Sequence, residues 1–383
     1  MVIAHVSKLA RQAVIKVTTY FLSYLSLSLL TLVGQNRLSD PQSGYFNNTI
    51  SILWAMLILY LTIMIGLRHE VGGDWLNYLW NFEDIDGMSL TAIFSQPSSI
   101  TSDPLYLLIS WLSSLLGLGI YGVNLICAAI FSIGLASLCR SFQRPLLGLS
   151  IAFPYLIIVV AMGYTRQSAA LGFVMIGIAA LLREKNLKFI IYVFLAALIH
   201  KSAIIMLPII GFSVSRSRIL LFFFGILFFI LGYFLFLADN IEFLIYGYIQ
   251  SGYQSEGALI RLSMNALPAI LFIFLRSRFI IKNQHEINFW LIVSYVSVSL
   301  LLIYPFFPSS TLLDRVALYL LPIQLFVFSN LPYALSDKIY LQKLYVFLVL
   351  GWYLLVMCVW LFFASNRFWW VPYNNLITEI IFQ

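Results

Sequence analysis

Long apolar runs separated by short polar segments fill most of the chain. The runs are roughly 16 to 20 residues long and apolar on every helical face, so they predict helices that cross a membrane. This pattern predicts an all-α, polytopic transmembrane helical bundle. The predicted spans lie near residues 17–34, 49–67, 104–119, 121–138, 145–162, 167–182, 189–212, 219–238, 264–281, 289–307, 312–331 and 344–364.

Two of these spans are irregular, which leaves the predicted total at about 11–13 membrane helices. The 189–212 run is interrupted by the ionisable residues His200 and Lys201, so it is predicted to break into two shorter helices. The 104–119 run is short and carries several serines, so it is either a span or a re-entrant or juxtamembrane helix. No long linker divides the chain, and residues 1–383 are predicted to form a single integral membrane domain.

Composition excludes several classes of function. With 62% hydrophobic and 10% charged residues, the chain cannot build the surface of a water-soluble domain. The net charge of +7 comes from Lys and Arg in the short loops, as membrane insertion itself produces, so no nucleic-acid partner is predicted. Cys127, Cys139 and Cys358 have no CxxC spacing, so we predict neither a disulfide framework nor a metal or cofactor site.

The basic residues also predict which side of the membrane each loop occupies. By the positive-inside rule, five basic loops are cytoplasmic, and Arg166, Lys201 and the 305–315 turn lie on the opposite side. Residues 68–103 lie in the cytoplasm if 104–119 crosses the membrane, and outside if that helix is re-entrant. The five basic loops contain Arg140 and Arg144; Arg183, Lys185 and Lys188; Arg216 and Arg218; Arg276, Arg278 and Lys282; and Lys338 and Lys343.

Placing an ionisable residue at membrane depth costs about 2.5–3.5 kcal/mol. Several such residues lie on the predicted non-cytoplasmic side, where the positive-inside rule does not account for them. The first group follows the second span, where Arg68 and Asp74 flank the paired glycines Gly72 and Gly73. Paired glycines let the backbone turn tightly and approach a ligand. The alternative is a helix-end turn in which Arg68 pairs with an acidic neighbour.

The next three groups also lie at predicted helix ends. Arg166 is at the start of its helix, where the helix dipole disfavours a cation unless an anion lies between them. Asp103 precedes Pro104, which is typical of a helix start and leaves capping as an alternative to function. His200 and Lys201 lie at the predicted helix break, where a histidine is either a hydrogen-bonded core residue or a functional one.

Two more charged groups occur in the second half of the chain. Asp314 suits the start of a helix. Arg315 in a first turn is unfavourable with respect to the helix dipole unless an acidic group neutralises its charge. Arg315 can pair with Asp314 or Asp74 instead of a ligand. Arg261 follows a polar loop and is either an ordinary flanking charge or a member of the site.

Several arginines, an acidic residue and a histidine on one face suit a lipid head group that carries phosphate. Arginine makes bidentate contacts to phosphate oxygens, and an acidic side chain can act on a hydroxyl group. Aromatic residues make up 16% of the chain and include rings that can stack on sugars, although much of this share is lipid-facing Phe.

Four short segments carry a resemblance to a known family. The segment from Arg68 to Tyr78 has the pattern Arg-x-x-x-Gly-x-Asp-aromatic-x-x-Tyr, and residues 103–106 have an acidic-Pro-x-aromatic pattern. Residues 166–170 read Arg-Gln-Ser-Ala-Ala, and residues 200–203 read His-Lys-Ser-Ala. In order and spacing, these segments resemble the EpsG-type family of exopolysaccharide and O-antigen polymerases, also called Wzy. The chain departs from the family pattern in the glycine before the Asp of the first segment and in the Asp, instead of Glu, that opens the second.

The resemblance implies a bacterial glycosyltransferase of the GT-C type in the inner (cytoplasmic) membrane, with an active site that faces the periplasm. Such an enzyme moves a growing glycan from undecaprenyl diphosphate onto the non-reducing end of a lipid-linked repeat unit, and needs no cofactor. GT-C enzymes usually keep an acidic residue in the first external loop beside a juxtamembrane helix. This favours residues 68–103 as an external loop and 104–119 as the re-entrant helix. The implied partners are the lipid-linked oligosaccharide, membrane lipid and a candidate protein that regulates chain length.

The resemblance also assigns roles to the candidate residues. Asp74 orients or deprotonates the acceptor hydroxyl, and His200 is the alternative catalytic base or a phosphate donor. The predicted diphosphate-binding residues are Arg68, Arg166, Arg315, Arg261 and Lys201. The predicted glycan-binding residues are Trp75, Tyr78, Asp103, Tyr164, Gln167, Asp314 and Tyr319.

Two other functions fit the same residues. A flippase or other transporter of lipid-linked oligosaccharides also needs basic residues in a membrane cavity, but it should carry polar groups near the bilayer midplane in many helices. A GT-C transferase or ligase that uses another polyprenyl-linked donor would keep the fold and change the reaction. Loss of a polymerase leaves single repeat units outside, loss of a flippase leaves them inside, and loss of a ligase leaves long polymer on the carrier.

Overall fold

The computed structural model describes residues 2–34, 48–95, 103–209, 255, 257–281, 283–307 and 309–382. These residues form helices joined by turns, with one isolated antiparallel bridge and no named strand among them. The predicted all-α bundle is therefore confirmed. The predicted span near 219–238 and the basic loop with Arg216 and Arg218 lie outside the described residues.

The first half of the described chain forms nine α-helices. Proline opens two of them at the first helical position, where its missing N–H costs no hydrogen bond. The helices are α1 (Val2–Gly34), α2 (Asn48–Gly66), α3 (Trp75–Glu83), α4 (Leu90–Ser95), α5 (Pro104–Leu115), α6 (Gly119–Cys139), α7 (Pro145–Ala152, continued by a π-helix at Phe153–Ala161), α8 (Thr165–Leu181) and α9 (Asn186–Ile199, followed by a 3-10 helix at Lys201–Met206).

The second half of the described chain adds six α-helices and three short 3-10 turns. The helices are α10 (Ala258–Leu275), α11 (Gln284–Ile303), α12 (Ser310–Leu318), α13 (Pro322–Leu335), α14 (Ile339–Phe363) and α15 (Leu376–Phe382). The 3-10 turns are Arg276–Arg278, Tyr304–Phe306 and Arg367–Trp369.

Five of the described helices are long and apolar enough to cross a membrane: α1, α6, α10, α11 and α14. The bent pair of α12 and α13 makes a sixth candidate, and five further apolar helices have only 10–17 residues. The prediction of about 11–13 membrane helices counted such shorter helices as spans. By length alone, the described residues support five to six spans.

Two of the predicted helices are broken, each for a local reason. At His200 the backbone is extended, so α9 stops at Ile199 and a 3-10 helix follows, as predicted for the 189–212 run. The predicted 312–331 span is instead two helices, α12 and α13, that meet at 53°. Pro322 opens α13, and a proline cannot donate the backbone hydrogen bond that a continuous helix needs.

Small residues set the close packing of α6 against its neighbours. A Cβ at Gly134 would lie 2.1 Å from the carbonyl oxygen of Gly172 in α8, and a Cβ at Gly66 in α2 would lie 2.7 Å from Cα of Leu125. Close backbone approach at small residues is the usual way that membrane helices gain van der Waals contact. These contacts fix α2, α6 and α8 relative to one another, and the site described below lies at the ends of these helices.

The loops at one end of the bundle are rich in basic residues. Arg140 and Arg183, which follow α6 and α8, line one cavity of about 300 Å³. Arg144, before α7, donates from Nη2 to Oε1 of Gln342 in α14 at 3.1 Å. We call this the basic end of the bundle. Loops that the positive-inside rule assigns to one side of the membrane thus lie together in the structure.

Helix α5 begins and ends at the other end of the bundle. Asp103 at its start contacts Arg166 in the first turn of α8, and Asn124, near the start of the following α6, accepts a hydrogen bond from Thr165 in that turn. With 12 residues, α5 is about 18 Å long, well short of the ~30 Å hydrocarbon core. The structure thus shows a short separate helix at 104–115, and its re-entrant or juxtamembrane position stays a prediction.

After α14, residues 364–375 turn back along the bundle and pair with the loop that follows α2. Arg68 and Asn375 form an antiparallel bridge, and backbone hydrogen bonds continue on both sides of it. We call residues 364–375 the C-terminal strap and residues 67–74 the Asp74 loop. Because α14 has 25 residues, about 37 Å of helix separates the strap from the basic end.

Candidate active site

The Asp74 loop is held from inside by Arg68, which is 1% exposed. Its Nε and Nη1 donate to the carbonyl oxygens of Val71 and Ile65, at 3.1 and 2.7 Å, and its Nη2 donates to Oγ1 of Thr165 at 2.6 Å. The guanidinium also lies 5.7 Å from the ring centroid of Trp75. Arg68 therefore shapes the loop and joins it to the first turn of α8.

Gly72 lets the Asp74 loop approach the backbone before α8. Its φ is +107°, and a Cβ at this position would lie 2.1 Å from the carbonyl oxygen of Met162. Its N–H donates to the carbonyl of Trp369 in the C-terminal strap at 2.8 Å. A Cβ at the next residue, Gly73, would find its nearest neighbour at 3.6 Å, which is ordinary contact. Only the first of the two glycines is required by the geometry.

This difference gives a prediction. Gly72→Ala should move the loop away from Met162, because the added methyl overlaps the carbonyl and φ is in a region that costs of order 1–3 kcal/mol for other residues. A displacement near 1 Å at an active site lowers a rate by on the order of 100-fold. Gly73→Ala is the matched control and should keep most activity. Both variants are compared by how far they restore the wild-type phenotype to a gene-deleted host at equal membrane content, and equal restoration would contradict the prediction.

Asp74 lies at the end of this loop, directly before α3, and is partly buried. Its side chain makes no capping hydrogen bond to the helix. Burial raises the pKa of Asp74 above its ordinary value of 3.8, and the positive charges of Arg315 and Arg166 oppose this rise. A carboxylate in this state can accept a proton more readily than an exposed aspartate.

Arg166 is held in the first turn of α8 by an acidic residue and two aromatic rings. Its Nη1 lies 3.2 Å from Oδ2 of Asp103, and its guanidinium carbon lies 5.6 Å from the ring centroids of both Tyr78 and Tyr106. The side chain of Arg166 is 28% exposed, whereas that of Asp103 is 4% exposed. Nε of Arg166 has no hydrogen-bond partner among the described residues. The guanidinium is thus fixed in place and still reachable.

His200 and Lys201 approach the same acidic residue from the break after α9. The backbone N–H of Lys201 donates to Oδ1 of Asp103 at 3.3 Å, and Nδ1 of His200 lies 3.6 Å from Oδ2. The histidine distance is longer than a hydrogen bond, so this is a charge contact only when His200 is protonated. The side chains of Arg166 and His200 and the start of the 3-10 helix therefore all lie next to the Asp103 carboxylate.

Arg315 is exposed and lies in the last turn of α12, where the helix dipole favours a cation. The expectation of a first-turn position was wrong, because α12 begins at Ser310. The carbonyl of Arg315 accepts a hydrogen bond from Nε2 of Gln167 at 3.2 Å, which ties α12 to α8. This bond places Arg315 beside the residue that follows Arg166, and the positive charges of both arginines lower the pKa of Asp74, against the rise caused by burial.

A comparison with protein-family models matches the EpsG family over residues 51–375. This range covers most of the chain and ends at Asn375, the residue that pairs with Arg68. The chain belongs to the EpsG family. Neither a curated protein nor a solved structure matches it. The family is associated with glycosyltransferase-like polysaccharide polymerases, in keeping with the resemblance in the sequence.

In this EpsG family protein, two of the arginines predicted to bind the diphosphate are engaged by other residues of the protein. Arg68 is fully buried and donates to three partners within the protein, so it shapes the loop instead. Arg261 makes a bidentate pair with Asp314, with Nε to Oδ1 at 2.6 Å and Nη2 to Oδ2 at 2.8 Å. Asp314, which was predicted to bind glycan, is engaged by the same two hydrogen bonds. The Arg261–Asp314 pair joins α10 to α12.

Several residues predicted to bind glycan are also too buried to stack on or contact a sugar. Their exposed fractions are 4% for Trp75, 5% for Tyr78, 3% for Asp103, 6% for Gln167 and 1% for Tyr319. Each one instead contacts another part of the site, because the aromatic rings and the amide pack between helices. Tyr319, for example, shares a hydrogen bond with Ser202 at 2.8 Å. Tyr164 is only partly buried, and its glycan-binding role stays a prediction.

Sequence reasoning missed four residues that support the site. They are Thr165, Asn124, Tyr106 and Trp370. The hydroxyl of Thr165 accepts a hydrogen bond from Arg68 and donates one to Asn124, and the ring of Tyr106 lies beside the Arg166 guanidinium. Tyr106 lies within one resembling segment and Thr165 directly precedes another, so their positions were a usable signal. Trp370 in the C-terminal strap had no such signal, because its contacts lie far away along the chain. No three His, Cys, Asp or Glu side chains converge on a metal-binding geometry in the part of the chain that the structure describes.

Proposed function

We propose that this EpsG family protein is a bacterial inner-membrane polysaccharide polymerase. It transfers the growing glycan from undecaprenyl diphosphate onto the non-reducing end of a lipid-linked repeat unit. The observation that carries this proposal is that the Asp74 loop, tied through Arg68 to Thr165 next to Arg166, and Arg315, tied through its carbonyl to Gln167, meet at the first turn of α8. A base and an anion site within one electrostatic environment are what glycosyl transfer from a diphosphate requires.

In this proposal, Arg166 and Arg315 bind the diphosphate of the donor. Arg166 lies in the first turn of α8, where the positive end of the helix dipole adds to its charge. Asp103, Tyr78 and Tyr106 hold the guanidinium in place, so little reorganisation is needed when the ligand arrives. Lys201 contributes its backbone N–H to Asp103, which supports the same arrangement.

Asp74 is the proposed general base. The acceptor hydroxyl attacks the anomeric carbon of the donor glycan, and its proton passes to the Asp74 carboxylate. A bond forms between the acceptor oxygen and the anomeric carbon as the bond from that carbon to the diphosphate oxygen breaks. The bond electrons leave with undecaprenyl diphosphate, whose charge the arginines stabilise. His200 is the alternative base, since it lies beside Asp103 and Arg166.

The proposed site faces the periplasm. The cytoplasmic assignment of the basic end follows from the positive-inside rule. The C-terminal strap is about 37 Å of helix away from that end, and the Asp74 loop pairs with the strap. A GT-C-like arrangement, with an acidic residue in an external loop beside a juxtamembrane helix, agrees with this assignment. The proposed partners are the lipid-linked oligosaccharide, surrounding membrane lipid and a protein that regulates chain length.

Deletion of the gene in its host tests the proposal. We expect the surface polysaccharide to change from a ladder of chain lengths to single repeat units on a gel, and a plasmid copy to restore the ladder. The single units should lie outside the inner membrane, because flipping precedes polymerisation. An unchanged ladder would contradict a polymerase. Loss of every band, with repeat units retained inside, would favour a flippase instead.

A further inference from the structure

We propose that the C-terminal strap is part of the active site, and that Trp370 is a positioning residue for the Asp74 loop. This inference rests on the proposed function, because it gives the strap a role in the reaction assigned to Asp74. It adds a region that follows the last long helix and contains none of the four segments that resemble the family pattern.

Trp370 joins the loop to three separate parts of the bundle. Its side chain is 3% exposed, and its Nε1–H donates to the carbonyl of Ile158 in the π-helical stretch at 2.8 Å. Its own carbonyl accepts from the hydroxyl of Tyr20 in α1 at 2.9 Å. Its ring lies edge-on to that of Trp360 in α14, with centroids 5.3 Å apart. A tryptophan held at three points is a rigid surface for the backbone segments that pack against it.

The loop and the start of α8 pack on this indole. A Cβ at Gly73, next to Asp74, would lie 3.6 Å from Cη2 of Trp370, and a Cβ at Gly163 would overlap Cζ2 at 2.7 Å. Gly163 lies three residues before Arg166. One indole therefore lies within the reach of a single methyl group at Gly73, beside the proposed base, and at Gly163, before the proposed anion-binding arginine.

The backbone of the strap completes the attachment. The carbonyl of Trp369 accepts the Gly72 N–H at 2.8 Å, and the bridge between Arg68 and Asn375 anchors the start of the loop. The Asp74 loop has no regular secondary structure of its own to fix it. Its position relative to α8 is thus set on one side by Arg68 and on the other side by the strap.

This arrangement predicts a change in the chemistry of Asp74 when the strap is loosened. Burial is the main cause of the raised pKa of Asp74. The charged and titratable groups that face it are Arg315 of α12, Arg166 of α8, Tyr78 of α3 and Tyr164 before α8. A loosened strap admits water to Asp74 and lowers its pKa towards the ordinary value, so the acidic limb of the rate profile moves to lower pH.

The test uses the full chain in liposomes, supplied with lipid-linked repeat units extracted from the gene-deleted host. Trp370→Ala is expected to lower the initial rate by on the order of 100-fold and to move the acidic limb to lower pH. Trp352→Ala is the matched control, because this tryptophan is 48% exposed on α14, and it should change neither quantity. A folded Trp370→Ala protein with a slower rate but an unmoved limb would overturn the inference, since a purely structural role lowers only the amount of active enzyme.

Two milder variants keep the inference testable if Trp370→Ala does not fold. Trp370→Phe removes the hydrogen bond to Ile158, and Tyr20→Phe removes the one to the Trp370 carbonyl. Each should move the acidic limb in the same direction by a smaller amount, and an unmoved limb in both would overturn the inference. Asp74→Asn, measured in parallel, separates the two proposals. If Asp74→Asn keeps the acidic limb of the wild-type rate profile, Asp74 is not the base. If Asp74→Asn removes this limb while the Trp370 and Tyr20 variants leave it unmoved, only the proposed role of the strap is wrong.

Discussion

Replacing Asp74 by asparagine is expected to lower the rate of glycan transfer by about 10²–10⁴-fold, the usual contribution of a general base. In the host, the polysaccharide ladder should collapse to single repeat units while the protein stays in the membrane. Asparagine has nearly the same size as aspartate and Asp74 makes no capping hydrogen bond, so the fold should tolerate the change. The measurement is a gel of surface polysaccharide from a gene-deleted host that carries the variant on a plasmid.

The pH dependence of the wild-type rate belongs to the same prediction. Only the ionised carboxylate can accept a proton, so the rate falls as the pH drops through the pKa of Asp74. Because burial raises that pKa, the fall begins at a higher pH than the ordinary value of 3.8 would give. Asp84→Asn is the matched control, since this exposed aspartate follows α3 and should give wild-type chain lengths. A wild-type ladder from Asp74→Asn would eliminate Asp74 as the base and turn attention to His200→Gln.

Arg166→Ala should reduce the rate by about 10²–10³-fold, the usual effect of removing one group that stabilises developing charge. The loss has two parts, because the variant removes the reachable cation and also leaves the Asp103 carboxylate buried without its charge partner. Arg166→Lys restores one positive charge but not the planar fork between Tyr78 and Tyr106, so we expect only partial recovery. The measurement is the rate in liposomes as the concentration of lipid-linked repeat units is varied.

A comparison with an arginine at the basic end controls for the loss of charge. Arg183→Ala removes an exposed arginine that follows α8 at its opposite end, and it should leave the rate unchanged. Equal rates for Arg166→Ala and wild type would rule out Arg166 as a diphosphate ligand. An equal loss in both variants would show that net charge matters and position does not.

The sequence by itself predicted the helical bundle, the break at His200 and the segments that gather at the site. Apolar runs must become helices in lipid because every backbone polar group needs an internal partner. An ionisable residue in or beside such a run costs free energy on insertion, so its presence indicates a functional or structural role. This argument selected Asp74, Arg166 and Arg315. A short helix that opens at Pro104 was also predictable, although its C-terminal bound was not.

Only the tertiary structure decided which of the charged residues can meet a ligand. Arg68 and Arg166 look alike in sequence, yet Arg68 is buried and donates to three internal acceptors, whereas the side chain of Arg166 is 28% exposed. Arg261 looked available until its bidentate pairing with Asp314 became visible. Burial and pairing depend on residues from distant helices, and no local pattern encodes those distances.

The sequence by itself determined that this chain is a helical membrane protein of the EpsG family and which segments carry its chemistry. The tertiary structure decided how the Asp74 loop is held, between Arg68 within the bundle and Trp370 of the C-terminal strap. The physical reason is that apolar periodicity and insertion cost act locally along the chain. The packing of a loop on an indole nearly three hundred residues away is a long-range contact, which exists only once the helices have assembled.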